Sequence, residues 1–154
     1  CPGLRKLQHL VRSPCERPVM RPVVYLAGPM NGRSDSEVFD WRREAAKELT
    51  GFTVLDPARR DYRGVETSNV AKIVEEDKRD IDNADIVLAY AVTPSVGTSM
   101  EILYAFSNQL KKFVVVVGAP GASPWLLYHS DVAVGSLSEA LQAVKEYAKA
   151  TWGF

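Results

Sequence analysis

Glu101 is the only carboxylate between Asp85 and Asp131, and apolar sequence surrounds it. It follows Pro94-Ser95-Val96-Gly97-Thr98-Ser99-Met100, a turn of small residues between an apolar run, Ile86 to Val92, and a helical pattern carrying Ile102, Leu103 and Phe106 on one side. A lone carboxylate at such a strand–turn–helix passage is a candidate nucleophile. A helix start also favours a glutamate through its dipole, so the residue type alone does not decide. The turn adds donors: the hydroxyls of Ser95, Thr98 and Ser99, and backbone N–H groups at the helix start around Gly97. That set suits an anion or a sugar. A second acid-rich stretch, Glu75, Glu76, Asp77, Asp80 and Asp82, lies upstream. By spacing alone it is a solvated helix face balanced by Lys72, Lys78 and Arg79.

These residues need a scaffold, and the chain supplies one by alternation. Val23 to Ala27, Phe52 to Leu55, Ile86 to Val92, Phe113 to Val117 and Asp131 to Val134 read as strands. The continuous apolar runs among them are those of strands covered on both faces. Helical patterns separate them. The first is capped by Ser34 or Asp35, carries Val38, Phe39, Trp41, Ala45, Ala46 and Leu49, and ends near Thr50 at Gly51. The second spans about 68–83 with Val70, Ile73, Val74 and Ile81 inward, and a short apolar segment, Trp125 to Tyr128, suits a small helix. The last is capped by Ser136 or Ser138 and turns Leu137, Ala140, Leu141, Val144 and Tyr147 inward. Strand–helix alternation predicts an α/β fold, a doubly wound, flavodoxin-like, five-stranded parallel sheet with helices on both faces. The strand order 2-1-3-4-5 is expected by analogy. Three loops then fall at the carboxyl edge, where such sheets bind ligands: 28–33, 94–101 and 118–124. Residues 58–68 are expected as a polar surface loop near the site mouth.

The 154 residues suffice for one domain, and 46% apolar and 25% charged residues are ordinary for a soluble globular protein. Residues 1–20 differ in composition, so an N-terminal extension is expected there and the domain over 21–154. A tail helix packed on the domain stays open. A net charge of zero argues against a nucleic-acid polymer or an anionic membrane as partner. No apolar run reaches the roughly 20 residues of a membrane span. Cys1 and Cys15 lie in the extension without metal-type spacing, and a cytoplasmic setting is expected. No metal or organic cofactor is implied.

Three passages in order carry a family resemblance: Tyr25-Leu-Ala-Gly28-Pro29; Asp77 eight residues before the Asp85 of Ala-Asp-Ile-Val-Leu-Ala; and Ser95-Val-Gly-Thr-Ser-Met-Glu101 followed by Ile-Leu-Tyr-Ala. Together they resemble the nucleoside 2-deoxyribosyltransferase superfamily, over about residues 22–145. The resemblance implies enzymes that break the N-glycosidic bond between a (deoxy)ribose and a base. Glu101 then matches the nucleophile that forms a glycosyl-enzyme, and Asp77 the acid that protonates the leaving base. Tyr25 matches a site tyrosine, with core packing as its other reading. Gly28 and Gly32 would let backbone approach the ligand, and Met30 and Asn31 would line the base or sugar.

Two positions point within the superfamily to its nucleoside 5′-monophosphate N-glycosidase branch. Ser95 stands where transferases of free nucleosides commonly carry Asp, and a hydroxyl donates to a phosphate that a carboxylate would repel. Ser123 resembles a serine that meets the phosphate, delivered across a subunit contact, which implies a homodimer or higher homo-oligomer. Asn31 departs from the arginine frequent in that branch, unless Arg33 substitutes. The expected ligand is thus a small nucleotide or nucleoside. The other readings are base exchange between free deoxynucleosides, cleavage of a larger nucleotide by the same glutamate chemistry, and a non-catalytic nucleotide sensor. The sequence leaves base preference and ribose against deoxyribose open.

Overall fold

In the computed structural model of the chain, residues 21–107, 109–118 and 123–154 are described. The expected N-terminal extension, with Cys1 and Cys15, and the centre of the 118–124 loop lie outside the described residues. Five strands, β1 (Val23–Ala27), β2 (Thr53–Leu55), β3 (Ile86–Tyr90), β4 (Phe113–Val117) and β5 (Val132–Val134), form one sheet in the order β2-β1-β3-β4-β5. Every pairing is parallel, with Tyr25 opposite both Leu55 and Val87. The expected fold class and strand order both hold. The order reverses between β1 and β3, and there the loops after these strands part to leave a crevice.

Alternation along the strands sorts the core into two layers. Val24, Leu26, Ile86, Leu88, Val115 and Val117 face one side, against Trp41 and Ala45 of α1 (Asp35–Glu48), Leu49 just past its end, and Ala140, Leu141 and Val144 of α5 (Leu137–Trp152). Tyr25, Ala27, Val87, Ala89, Val114 and Val116 face the other, against Ile81 of α2 (Val70–Asn83) and Ile102 and Ala105 of α3 (Val96–Phe106). Each fully buried Val, Leu or Ile contributes about 1.5–3 kcal/mol. Both faces of the central strands are covered, which is why they read as unbroken apolar runs.

Helix starts follow local chemistry. Ser34 and Glu37 close a capping box on α1, and Ser136 caps α5 by accepting the Glu139 N–H. α1 stops at Glu48, slightly before the expected Thr50, and Gly51 turns the chain at φ +87°. α2 starts at Val70 after a 3-10 turn, Glu66–Ser68, and α4 is Pro124–Tyr128.

Four apolar residues expected inward point outward. Val70, Val74 and Leu103 are exposed, as is Ala46. The inward stripe of α2 runs instead through Ile73, Asp77, Asp80, Ile81 and Ala84, and that of α3 through Thr98, Glu101, Ile102 and Ala105. Polar residues occupy positions that an apolar count assigns to hydrophobes.

At the opposite edge of the sheet, Asp85 and Asp131 precede their strands and fasten neighbouring ones. The Val23 N–H donates to the Asp85 carboxylate at 2.9 Å, and the Val114 N–H to that of Asp131 at 2.8 Å.

Candidate active site

Tyr25 lies on β1, two residues before the carboxyl end, with its side chain on the α2–α3 face. Its hydroxyl donates to Glu101 Oε2 at 2.5 Å. Glu101 reaches that point because it occupies the inward stripe of α3. Ser95 sets the start of this helix: its Oγ accepts the Thr98 N–H at 3.3 Å, and Ser99 Oγ donates to the Ser95 carbonyl at 2.8 Å. Asp77 arrives from α2. Glu101, Asp77, Gly28, Met30, Asn31, Ser95, Gly97 and Thr98 line one cleft of about 240 Å³ at the crevice between β1 and β3. Most of the expected site residues therefore meet.

Others do not. Pro29 and Arg33 line a second recess of about 250 Å³ on the far side of the 28–33 loop, with Trp41 and Tyr90. Arg33 there sits 3.8 Å from Glu37. The Arg33 side chain thus does not fill the place of the missing loop arginine, because the turn at Gly32, φ +71°, carries it past the cleft. Gly32 lines neither space. Ser123 lines a neighbouring recess of about 490 Å³ with Ser95, Thr98, Val96 and Met100, outside the cleft that holds Glu101. Tyr90 stacks on Trp41 at 4.8 Å and belongs to the α1-side core. His129 stacks on Trp125 beside α4.

Sequence reasoning expected residues 58–66, with 30–33, to shape the pocket, but gave the arginines of the former no role. Arg60, Tyr62 and Arg63 line the cleft, so the 58–68 segment is a wall of the site as well as a surface loop. Arg60 Nε meets Glu76 at 2.9 Å, while its Nη2 meets Asp80 at 2.8 Å and Asp77 at 3.3 Å. Arg59 grips both oxygens of Asp80, and Tyr62 donates to Glu76. Arg63 bonds Asp35, Asp61 and the Arg33 carbonyl. The signal was an Arg-Arg pair following β2, with a helix of clustered carboxylates beside it.

Arg42 was also missed. Only 1% exposed, it donates to the Leu26 and Gly28 carbonyls and to Asp56. One guanidinium thus joins the first loop to the turn that carries Arg59 and Arg60. It is readable as an inward position of α1, in line with Val38 and Ala45. Gly28 packs so closely on this layer that a Cβ there would stand 2.4 Å from Trp41 Cζ2.

The electrostatics follow from burial. Desolvation pushes the Glu101 carboxyl up to about 8, and the neighbouring Asp77 adds to this; the Tyr25 hydrogen bond and Arg42 pull the other way. Desolvation, then Glu101, holds the Tyr25 phenol well above its ordinary range. Asp77 is also raised, by burial first, with Arg60 opposing and Asp80 and Glu76 reinforcing. Two neighbouring carboxyls with raised affinity for protons tend to share one. Such a pair offers one anionic oxygen for attack and one proton for a leaving group, and Thr98 adds a buried Oγ1 without a hydrogen-bond partner among the described residues.

The family described as nucleoside 2-deoxyribosyltransferase like matches over residues 21–119. The chain belongs to that family, and so to enzymes of glycosyl transfer at nucleosides. Among solved structures, a 2-deoxyribosyltransferase from Bacillus psychrosaccharolyticus is similar over 77% of this chain and 90% of that one, at 19% identity and a TM-score of 0.62. A conserved protein from Enterococcus faecalis V583 is similar over 83% and 99%, at 15% identity and a TM-score of 0.63. A molybdenum cofactor binding protein from Rippkaea orientalis is similar over 84% and 99%, at 15% identity and a TM-score of 0.57. These likenesses are of fold, and the fold serves different tasks, so the site must specify the chemistry. No curated protein matches the chain. Among the described residues no helix is long and apolar enough to cross a membrane.

Proposed function

We propose that the chain cleaves the N-glycosidic bond of (2′-deoxy)nucleoside 5′-monophosphates. The observation that carries this reading is the Tyr25–Glu101 hydrogen bond in one cleft with Asp77. The ionised Glu101 attacks the anomeric carbon. The bond to the base breaks, its electron pair goes to the base nitrogen, and the proton of Asp77 goes to the base. Water then attacks the glycosyl-enzyme, giving its proton to Asp77 and releasing Glu101. Tyr25 stabilises the ionised carboxylate through a charge-assisted bond and orients it. This is the two-carboxylate logic of a retaining glycosidase.

Support for a phosphate comes from the start of α3. Ser95 Oγ accepts a backbone N–H, which leaves its own proton free to donate to a ligand. The N–H groups of the first turn and the unpartnered Thr98 hydroxyl add donors beside it. No carboxylate stands at position 95 to repel an anion.

Ser123 opens on a recess next to the cleft, beside Val96 and Met100, which are 83% and 63% exposed, and Trp125 and Tyr128 of α4 are exposed as well. We propose that a second copy covers this face and that Ser123 serves the neighbour's site. Sedimentation showing only monomer at working concentration would remove the shared site.

The test is a panel of deoxynucleosides and their monophosphates, each with and without a second free base, followed by chromatography. Base release from monophosphates, lost in Glu101→Ala, is the expected outcome. Ser95→Asp should lower nucleotide turnover far more than nucleoside turnover. Base exchange on free nucleosides would instead establish a transferase, which the same Tyr25–Glu101 arrangement would serve, and equal losses in Ser95→Asp would refute the phosphate role.

A further inference from the structure

One arginine lining the cleft with Glu101 is bound to three carboxylates at once. Arg60 spends Nε on Glu76 and divides Nη2 between Asp80 and Asp77, while Nη1 has no hydrogen-bond partner among the described residues. The Asp77 contact, 3.3 Å, is the longest of the three. Asp80 is further secured by Arg59, and Glu76 by Tyr62, so Arg60 is anchored on both sides of Asp77 by groups that are themselves held. Asp77 alone among the three carboxylates lines the cleft with Glu101.

We propose that Arg60 is the positioning residue of this site, fixing the Asp77 carboxylate in the cleft beside Glu101 and setting how readily it takes up a proton. While the guanidinium stays on Asp77, it favours the ionised carboxylate there. Freed from Arg60, Asp77 takes up a proton more readily, the form that can protonate a leaving base.

The groups facing Asp77 set this balance. Arg60 comes from the turn after β2, with Tyr62, Arg63 and Glu66 lining the same cleft beyond it, Glu76 and Asp80 from α2, Glu101 from α3, and Tyr25 from β1 behind Glu101. Arg60 is the group among them that draws Asp77 toward its ionised form, against burial and the two acidic neighbours on its own helix. An opposite charge at such range moves a carboxyl by about 1–3 pH units.

This inference rests on the glycosidase reading only for its consequence in turnover, and a titration of the ligand-free protein separates the two. Carboxyl carbons of aspartate are followed by 13C NMR against pH, with Asp77→Asn to assign the signal. The Asp77 midpoint should be lowest in the wild type, higher in Arg60→Lys, whose ammonium lacks the planar fork, and highest in Arg60→Gln, about 1–3 pH units above wild type. A midpoint in Arg60→Gln at or below that of the wild type overturns the proposal. If Arg60→Gln does not fold, Arg60→Lys decides alone: a rise supports the assignment, and an unchanged or lower midpoint refutes it. Where base release is detected, its alkaline limb should move upward with the titration. A titration that moves in a protein without base release would count against the glycosidase reading and leave Arg60's role standing.

Discussion

Replacing Glu101 by glutamine should make the protein more stable, increasingly so as pH rises. The carboxyl titrates near 8 in the folded chain, against 4.5 as its ordinary value. Between those values the folded state holds a proton that the unfolded state has released, so unfolding free energy falls with pH. The limiting slope is about 1.36 kcal/mol per pH unit. Over the full interval the loss approaches roughly 5 kcal/mol, and solvent reaching a half-buried group through the cleft reduces it to about 2–4 kcal/mol. Glutamine has no such proton and can still accept the Tyr25 hydroxyl. The assay is urea denaturation of both proteins at matched pH from 5 to 9. The difference should be small at pH 5, widen steadily to about pH 8, and then level off. Other titrating groups, apart from Asp77 with its coupling to Glu101, are present in both proteins and largely cancel. Parallel stability curves across the range would refute the idea that Glu101 is held protonated by burial.

Two further substitutions probe the same neighbourhood. Tyr25→Phe removes the bond that favours the ionised Glu101, so the acidic limb of base release should move to higher pH, with a loss at neutral pH of about 10–100-fold, the worth of a charge-assisted hydrogen bond; an unmoved limb would make Tyr25 a packing residue. Gly28→Ala places a Cβ against Trp41 and the Arg42 guanidinium, and thermal unfolding should report a loss of about 1–3 kcal/mol, unless the indole can retreat without disturbing its stack on Tyr90.

The three central strands were legible in the sequence because burial on both faces leaves them almost wholly apolar, as in Phe113 to Val117. Glu101 was legible for the opposite reason: a lone charge in apolar surroundings is visible without any structure. By spacing alone Asp77 was not, since four other acids crowd its helix and only the turn of α2 separates the cleft-facing one from the rest; the resemblance singled it out. The inward faces of α2 and α3 were misread at Val70, Val74 and Leu103 because an apolar count cannot register that carboxylates and a threonine take the buried stripe. Arg42 and Arg60 escaped for a related reason. Their value lies in partners far along the chain, at Leu26, Asp56, Glu76 and Asp80, and no local pattern shows such pairings.

Asp85 and Asp131 have a bearing on how this scaffold can change. Each lashes the first residues of its own strand to a neighbour, β3 to β1 and β5 to β4, by a side-chain bond at the amino edge. Strand alignment is thus secured at the end of the sheet remote from the cleft. The loops at the other end are released from that duty. They can lengthen, shorten or exchange residues while the strands keep their places. A graft of new carboxyl-edge loops for altered base selectivity should therefore succeed more readily than any change at these two aspartates, and divergence among natural versions of the scaffold should gather at the same end.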